Sequence, residues 1–129
     1  GGEGMIGTAN GYADFLRMLL NHGELNGHRF LDESTVKEIY SPHSQLENEW
    51  GYNGYNLWVT SKIYKDKGYG DEGLWTGGGY EGTHFWIDPK RDFVGLIMSQ
   101  MYQTPKAGYN RDNVIRGEIY KQIFENEKH

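Results

Sequence analysis

The chain contains no cysteine, which excludes disulfides and thiolate metal ligands. Many secreted proteins also lack cysteine, so the compartment stays open on this ground. No run approaches the roughly 18 apolar residues of a membrane span. Lys and Arg number 13 against 18 Asp and Glu, for a formal net charge of -5. The basic residues are scattered, so a nucleic-acid partner has no electrostatic support. The histidines, His22, His28, His43, His84 and His129, show no H-x-x-x-H or H-E-x-x-H spacing, so no metal site is expected and they read as surface or turn residues. The chain opens on Gly1, with neither an initiating Met nor a signal peptide, which suggests a processed or excised piece.

What is present is globular. The 129 residues suit one domain, with 36% hydrophobic and 24% charged residues. Nineteen glycines and 15% aromatics point away from a helical bundle and toward strands and turns, hence a mixed α and β class. Tyr12, Phe15, Leu16, Leu19 and Leu20 fall at helical intervals, with Thr8 and Asn10 as cap candidates and Asn21 and Gly23 as the end. After a turn at Leu25-Asn26-Gly27 and the short run Arg29-Phe30-Leu31, the residues Asp32, Glu33 and Ser34 can cap a second helix over Thr35–Tyr40, limited by Pro42. Strands are predicted near Asn56–Tyr64, Thr83–Ile87 and Phe93–Gln100, with a turn over Asp88–Asp92 and a polar, Gly-rich connection over Lys62–Gly73. Pro105–Asn110 reads as a loop. Val114, Ile115, Ile119, Ile123 and Phe124 then give an amphipathic helix over Arg111–Glu127 that should pack on the sheet.

Several motifs invite a chemical reading. Ser34-Thr35-Val36-Lys37 spells S-x-x-K, in which a helix sets a Lys amine beside a nucleophilic Ser, but at the start of a short helix Ser34 reads as a cap. Ser44 and Ser99 have no nearby base in sequence. Gly2, Gly4 and Gly7, and again Gly77, Gly79 and Gly82, fit G-x-G-x-x-G. The second set precedes a strand rather than the helix N-terminus that phosphate binding needs, and the first reads as a turn into a helix. Glu72 and Glu81 flank Trp75 as a formal carboxylate pair, for which solvated charge is the default reading. Trp50, Tyr52, Tyr55, Trp58, Trp75, Tyr80, Phe85 and Trp86 could line a sugar- or peptide-binding surface, although strand aromatics more often form core.

The ordered segments resemble the C-terminal part of the serine β-lactamase and penicillin-binding-protein family, which includes class C β-lactamases, D-alanyl-D-alanine peptidases and related esterases. The opening Gly1-Gly2-Glu3-Gly4-Met5-Ile6-Gly7-Thr8-Ala9, the stretch from Tyr12 to Gly27 and the run Phe30-Leu31-Asp32-Glu33-Ser34-Thr35-Val36 carry part of the likeness. The most specific part is Trp75 to Asp92, which looks like the family's third active-site motif, its hairpin and the following turn. Where the family has K-T-G, H-x-G or a Trp form, this chain has Trp75-Thr76-Gly77.

The resemblance implies an α+β fold, an antiparallel sheet with flanking helices, belonging to a β-lactamase/transpeptidase-like domain. Residues 1–129 would then form one C-terminal fragment of the α/β part of a larger serine hydrolase, whose N-terminal strands and helical lobe lie elsewhere. It implies an acyl-enzyme cycle without a cofactor, acting on a β-lactam, a cell-wall peptide or an ester. The Ser and Lys would sit on an upstream helix, with a Tyr in a second upstream motif, so no catalytic residue is expected on this chain. Trp75, Thr76, Gly77, Gly78 and Gly79 would form a substrate-binding edge strand, with the Gly78 N–H as an oxyanion donor. Expected partners are the substrate, the missing N-terminal part and a second copy through swapping or dimerisation. A periplasmic or secreted location follows from the resemblance alone. The rival reading is a non-catalytic peptidoglycan- or glycan-binding module that uses the strand aromatics.

Overall fold

The computed structural model describes residues 5–79, 82–100 and 111–125, the side chains of 45–47 aside. Helix α1 runs over Ala9–Leu20, and Thr8 caps it by accepting a hydrogen bond from the Gly11 N–H at 3.1 Å. Its apolar spacing buries Leu16, Met18 and Leu19. At the other end the Gly23 N–H closes on the Met18 carbonyl at 2.8 Å, with φ of 98°. A Cβ there would lie 2.0 Å from the Leu31 carbonyl oxygen, so only glycine fits this stop. Strands β1 (Glu24–Leu25) and β2 (His28–Arg29) make a small hairpin around Asn26 and Gly27, both at positive φ, as a tight right-twisting turn requires.

Helix α2 spans Glu33–Tyr40 and begins earlier than expected. Asp32, not Ser34, holds the N-cap position, and Ser34 lies exposed within the first turn. Val36 is the residue that α2 buries completely.

The remaining strands are β3 (Ser44–Asn48), β4 (Gly51–Asn53), β5 (Trp58–Thr60), β6 (Trp75–Gly78), β7 (His84–Asp88) and β8 (Phe93–Ile97). They form a six-stranded antiparallel sheet in simple sequence order. The fold is therefore α+β, an antiparallel sheet with flanking helices. The strand predicted over Asn56–Tyr64 is shorter than its composition suggests. After Thr60 the Ser61 hydroxyl accepts from the Tyr64 N–H at 3.1 Å, and Lys62–Asp66 turns into helix α3, braced by a Lys62–Asp66 ion pair at 2.6 Å. Strand β3 was not anticipated, because its sequence Ser-Gln-Leu-Glu-Asn has no period-two pattern.

The pleat of β7 sorts the packing. Phe85 and Ile87 face α1 and α2, where Leu16, Leu19, Val36, Val59 and Trp75 complete the main core. His84, Trp86 and Asp88 face the opposite side, covered by helix α4 (Arg111–Tyr120), which continues as a π-helical turn over Lys121–Glu125. The amphipathic reading of α4 is corrected here. Val114 and Ile123 are exposed, and the residues that α4 buries are Asp112 and Arg116. Its aromatic contacts come from Tyr120 and Phe124 against Trp86 and Phe93. The predicted loop Pro105–Asn110 and the last residues of the predicted helix lie outside the described residues.

Gly95 pairs with Trp86 across the β7–β8 ladder, and a Cβ there would sit 2.1 Å from the indole ring. Gly95→Ala should lower stability by about 1–3 kcal/mol through overpacking. Gly117→Ala, in open space within α4, should raise it by up to ~1 kcal/mol. Urea unfolding of both variants checks the pair of opposite signs.

Candidate functional site

The β6–β7 hairpin carries the predicted substrate-binding residues. Trp75 is only 6% exposed and stacks on Tyr40 with ring centroids 4.3 Å apart. Its indole therefore anchors β6 in the core, and only its backbone can face a cleft. The Thr76 hydroxyl reaches the Trp58 carbonyl at 3.5 Å. Gly77 lies over Phe85, whose ring would be 2.4 Å from an added Cβ, so packing alone demands glycine there. Gly78 and Gly79 are exposed.

The expected edge strand over Trp75–Gly79 is corrected by the ladder. Trp75 and Thr76 pair on both sides, with Val59 and Trp58 of β5 and with Ile87 and Trp86 of β7. The β5 pairing ends at Thr76, because Asn56 takes a φ of 59° and leaves the strand conformation. Gly77 and Gly78 pair with β7 alone. Alternation fixes which way the amides point. The Gly79 N–H donates to the Thr83 carbonyl at 2.8 Å, on the β7 side, while the Leu74 carbonyl accepts from the Thr60 N–H at 3.0 Å, on the β5 side. Gly78 shares the parity of Leu74, so its N–H points to the β5 side, where no described strand residue lies opposite it.

On the α4 face, Thr76 and His84 join Trp50, Trp58, Thr60, Tyr64, Asp112 and Asn113 around a cavity of about 270 Å³. His84, expected at a surface or turn, is instead half-buried in the sheet, with Nδ1 3.9 Å from Asp112 Oδ2 and a buried Nε2 that has no hydrogen-bond partner among the described residues. Burial pushes its pKa down, Asp112 pulls it up, and Arg116 and Arg111 push it down further. Behind it Arg116, 2% exposed, donates to the Tyr64 hydroxyl at 2.7 Å, the Tyr69 carbonyl at 2.5 Å and Asn113 Oδ1 at 2.8 Å. Arg111 Nη2 donates to the Gly82 carbonyl at 2.6 Å, and Nη1 to Ser99 Oγ at 3.2 Å. No local motif joins this cluster, because His84 and Arg111 stand 27 positions apart in the sequence. The alternation of the strand over Thr83–Ile87 was the one signal that could have put His84 on the same face as Trp86.

Other sequence candidates stand apart from the hairpin chemistry. Ser34 and Lys37 are both exposed on α2. His43 stacks on Tyr55 at 4.0 Å and bonds the Glu38 carbonyl at 2.7 Å, while His22 and His28 are exposed beside and within the β1–β2 hairpin. Glu72 is exposed, and Glu81, Tyr80, Gly2, Gly4 and His129 lie outside the described residues. Among the described residues no group of His, Asp and Glu could hold a metal ion, and no helix is long and apolar enough to cross a membrane.

An antiparallel sheet flanked by helices, with a glycine-rich strand end whose amide faces no described strand, defines an α+β domain with one open strand end. A sequence model of the Beta-lactamase family matches residues 1–117, and the chain belongs to that family. Membership supports a serine-hydrolase-like function. No curated protein matches the chain.

The folded imidazole of His84 titrates below its ordinary 6.5, so the unfolded chain binds this proton first as pH falls. Its contribution to stability is full above about pH 6.5 and declines as pH drops through the folded value. The melting temperature should therefore fall more steeply between about pH 7.5 and 5.5 in the wild type than in His84→Gln, since carboxylate effects are common to both. Equal slopes would assign the loss to the carboxylates.

Proposed function

We propose that the chain supplies the oxyanion-side wall of a serine acyl-transfer hydrolase, with the nucleophilic Ser, its Lys and an assisting Tyr on an upstream part of the same protein. The observation that carries this reading is the Gly78 amide. It is exposed, it lacks a Cβ that would hold a substrate carbonyl away, and ladder parity aims its N–H past the end of β5. A backbone N–H paired with the nucleophile's own amide is the arrangement that stabilises a tetrahedral oxyanion. Thr76 and Gly77 would shape the approach and Gly79 would close it, while Trp75 holds the strand from the core side.

The substrate would be a β-lactam, a cell-wall peptide or a carboxylic ester. The Trp form at Trp75 leans toward ester or peptide. The N-terminal strands and helical lobe are the natural partner of this sheet, since no described strand pairs with the outer side of β8. The same open edge would permit swapping or dimerisation. The module reading, in which aromatics hold a glycan, is weakened because Trp75 and Trp86 are core, which leaves Trp50 and Trp58 at the cavity under α4.

In the full-length protein, Gly78→Pro removes the N–H from the side that no strand uses, and should lower kcat for a short p-nitrophenyl ester about 10²–10³-fold with the circular-dichroism spectrum retained. Gly78→Ala keeps the N–H and serves as the control for added bulk. Unchanged turnover in Gly78→Pro would remove the oxyanion role. Residues 1–129 alone should not hydrolyse the ester. Hydrolysis abolished by Ser34→Ala would overturn the placement of the nucleophile upstream.

A further inference from the structure

The end of β6 that carries Gly78 is held by its backbone ladder to β7 and by no side chain of its own, because residues 77, 78 and 79 are glycine. A second restraint comes from helix α4. Arg111 opens that helix, and its side chain is 19% exposed. Nη2 donates to the Gly82 carbonyl at 2.6 Å, and Nη1 donates to Ser99 Oγ at 3.2 Å. Ser99 Oγ donates in turn to the same Gly82 carbonyl at 3.0 Å, filling both acceptor positions of that oxygen. Asp112 Oδ1 accepts from Arg111 Nε at 3.0 Å and from Nη2 at 2.9 Å, which fixes the plane of the fork.

The restraint passes on through the backbone. Gly82 takes a φ of 84°, and its N–H donates to the Gly79 carbonyl at 3.0 Å. The Gly79 N–H donates to the Thr83 carbonyl at 2.8 Å. Arg111 thus holds Gly82, Gly82 holds Gly79, and Gly79 is the peptide next to Gly78. We propose that Arg111 is a positioning residue that sets the Gly78 amide for catalysis through the Gly82 carbonyl, with Ser99 as its second point of attachment. The proposal rests on the oxyanion role of Gly78. Misplacement of a reacting geometry by about 1 Å can cost on the order of 100-fold in rate, so a restraint that never touches substrate can still govern turnover. A lysine would not replace this arginine, since a point charge cannot reach Gly82 and Ser99 together with fixed orientation.

The test uses the full-length protein with Arg111→Met, Arg111→Lys and Ser99→Ala. Amide hydrogen exchange at Gly79 and Gly82 should accelerate about tenfold or more in Arg111→Met, while Leu16 and Leu19 of α1 exchange as in the wild type. On a short p-nitrophenyl ester, kcat should fall about 10–100-fold with KM within about twofold, and Arg111→Lys and Ser99→Ala should lie between. If Arg111→Met does not fold, the two milder variants carry the same comparison. Unchanged exchange at Gly79 and Gly82 overturns the restraint whatever the activity. Faster exchange with unchanged kcat overturns the positioning role. An inactive wild type overturns the hydrolase reading and the catalytic half of this proposal, and the exchange measurement still decides whether the restraint exists.

Discussion

The two-faced burial of β7 is the constraint on which the rest of the structure depends. Trp86 and Ile87 are both fully buried, on opposite sides of the sheet, so each face must be covered by a separate layer. Helices α1 and α2 supply one cover and α4 the other. Burial of an indole of roughly 200 Å² is worth on the order of 5 kcal/mol of transfer free energy, enough to commit α4 to this side despite its mostly polar sequence. Gly95 makes room for that indole from β8, and Tyr120 meets it from α4.

The face under α4 is more polar than a core usually is, and its charges are held by bonds. Asp88 is 2% exposed, yet it accepts from the Lys90 and Arg91 amides, from the Arg91 guanidinium at 2.8 Å and from the Tyr120 hydroxyl at 2.8 Å. Burial and that same carboxylate push the Tyr120 pKa well up, so the phenol keeps its proton and remains a donor. Removing one partner from a buried charge costs about 3–5 kcal/mol, far more than breaking a solvent-screened surface pair. Asp88 and Arg116 therefore fix where α4 docks. Lys62 and Asp66 brace α3 locally and fix no packing between layers.

That docking matters for the hairpin. The glycines of β6 serve different needs: Gly77 yields to the Phe85 ring, whereas Gly78 leaves an open amide and an open approach. A strand end built this way is held on one side only, by its ladder to β7. Its geometry is borrowed from Trp75 on the core side and from Arg111 and Ser99 on the other. The proposed role of the Gly78 amide would in this way depend on how α4 packs.

Much of this was legible in the sequence. The helical spacing from Tyr12 to Leu20, the glycine stop at Gly23, the alternation from Thr83 to Ile87 and the turn at Asp88 to Asp92 are local patterns that hydrogen bonding and burial read directly. The likeness around Trp75 to Asp92 identified the family on the same local footing. Strand β3, helix α3 and the buried face of α4 were not legible, because a polar pentapeptide becomes a strand only when a neighbour offers it a ladder, and Arg116 becomes core only when Tyr64 and Tyr69 surround it. The sequence by itself determined helix α1, the strand over Thr83–Ile87 and the turn that follows it, because those patterns are local. Only the tertiary structure decided that Trp75 is an anchor, that β5 stops short of Gly78, and that Arg111 reaches Gly82, since each depends on contacts between residues distant along the chain.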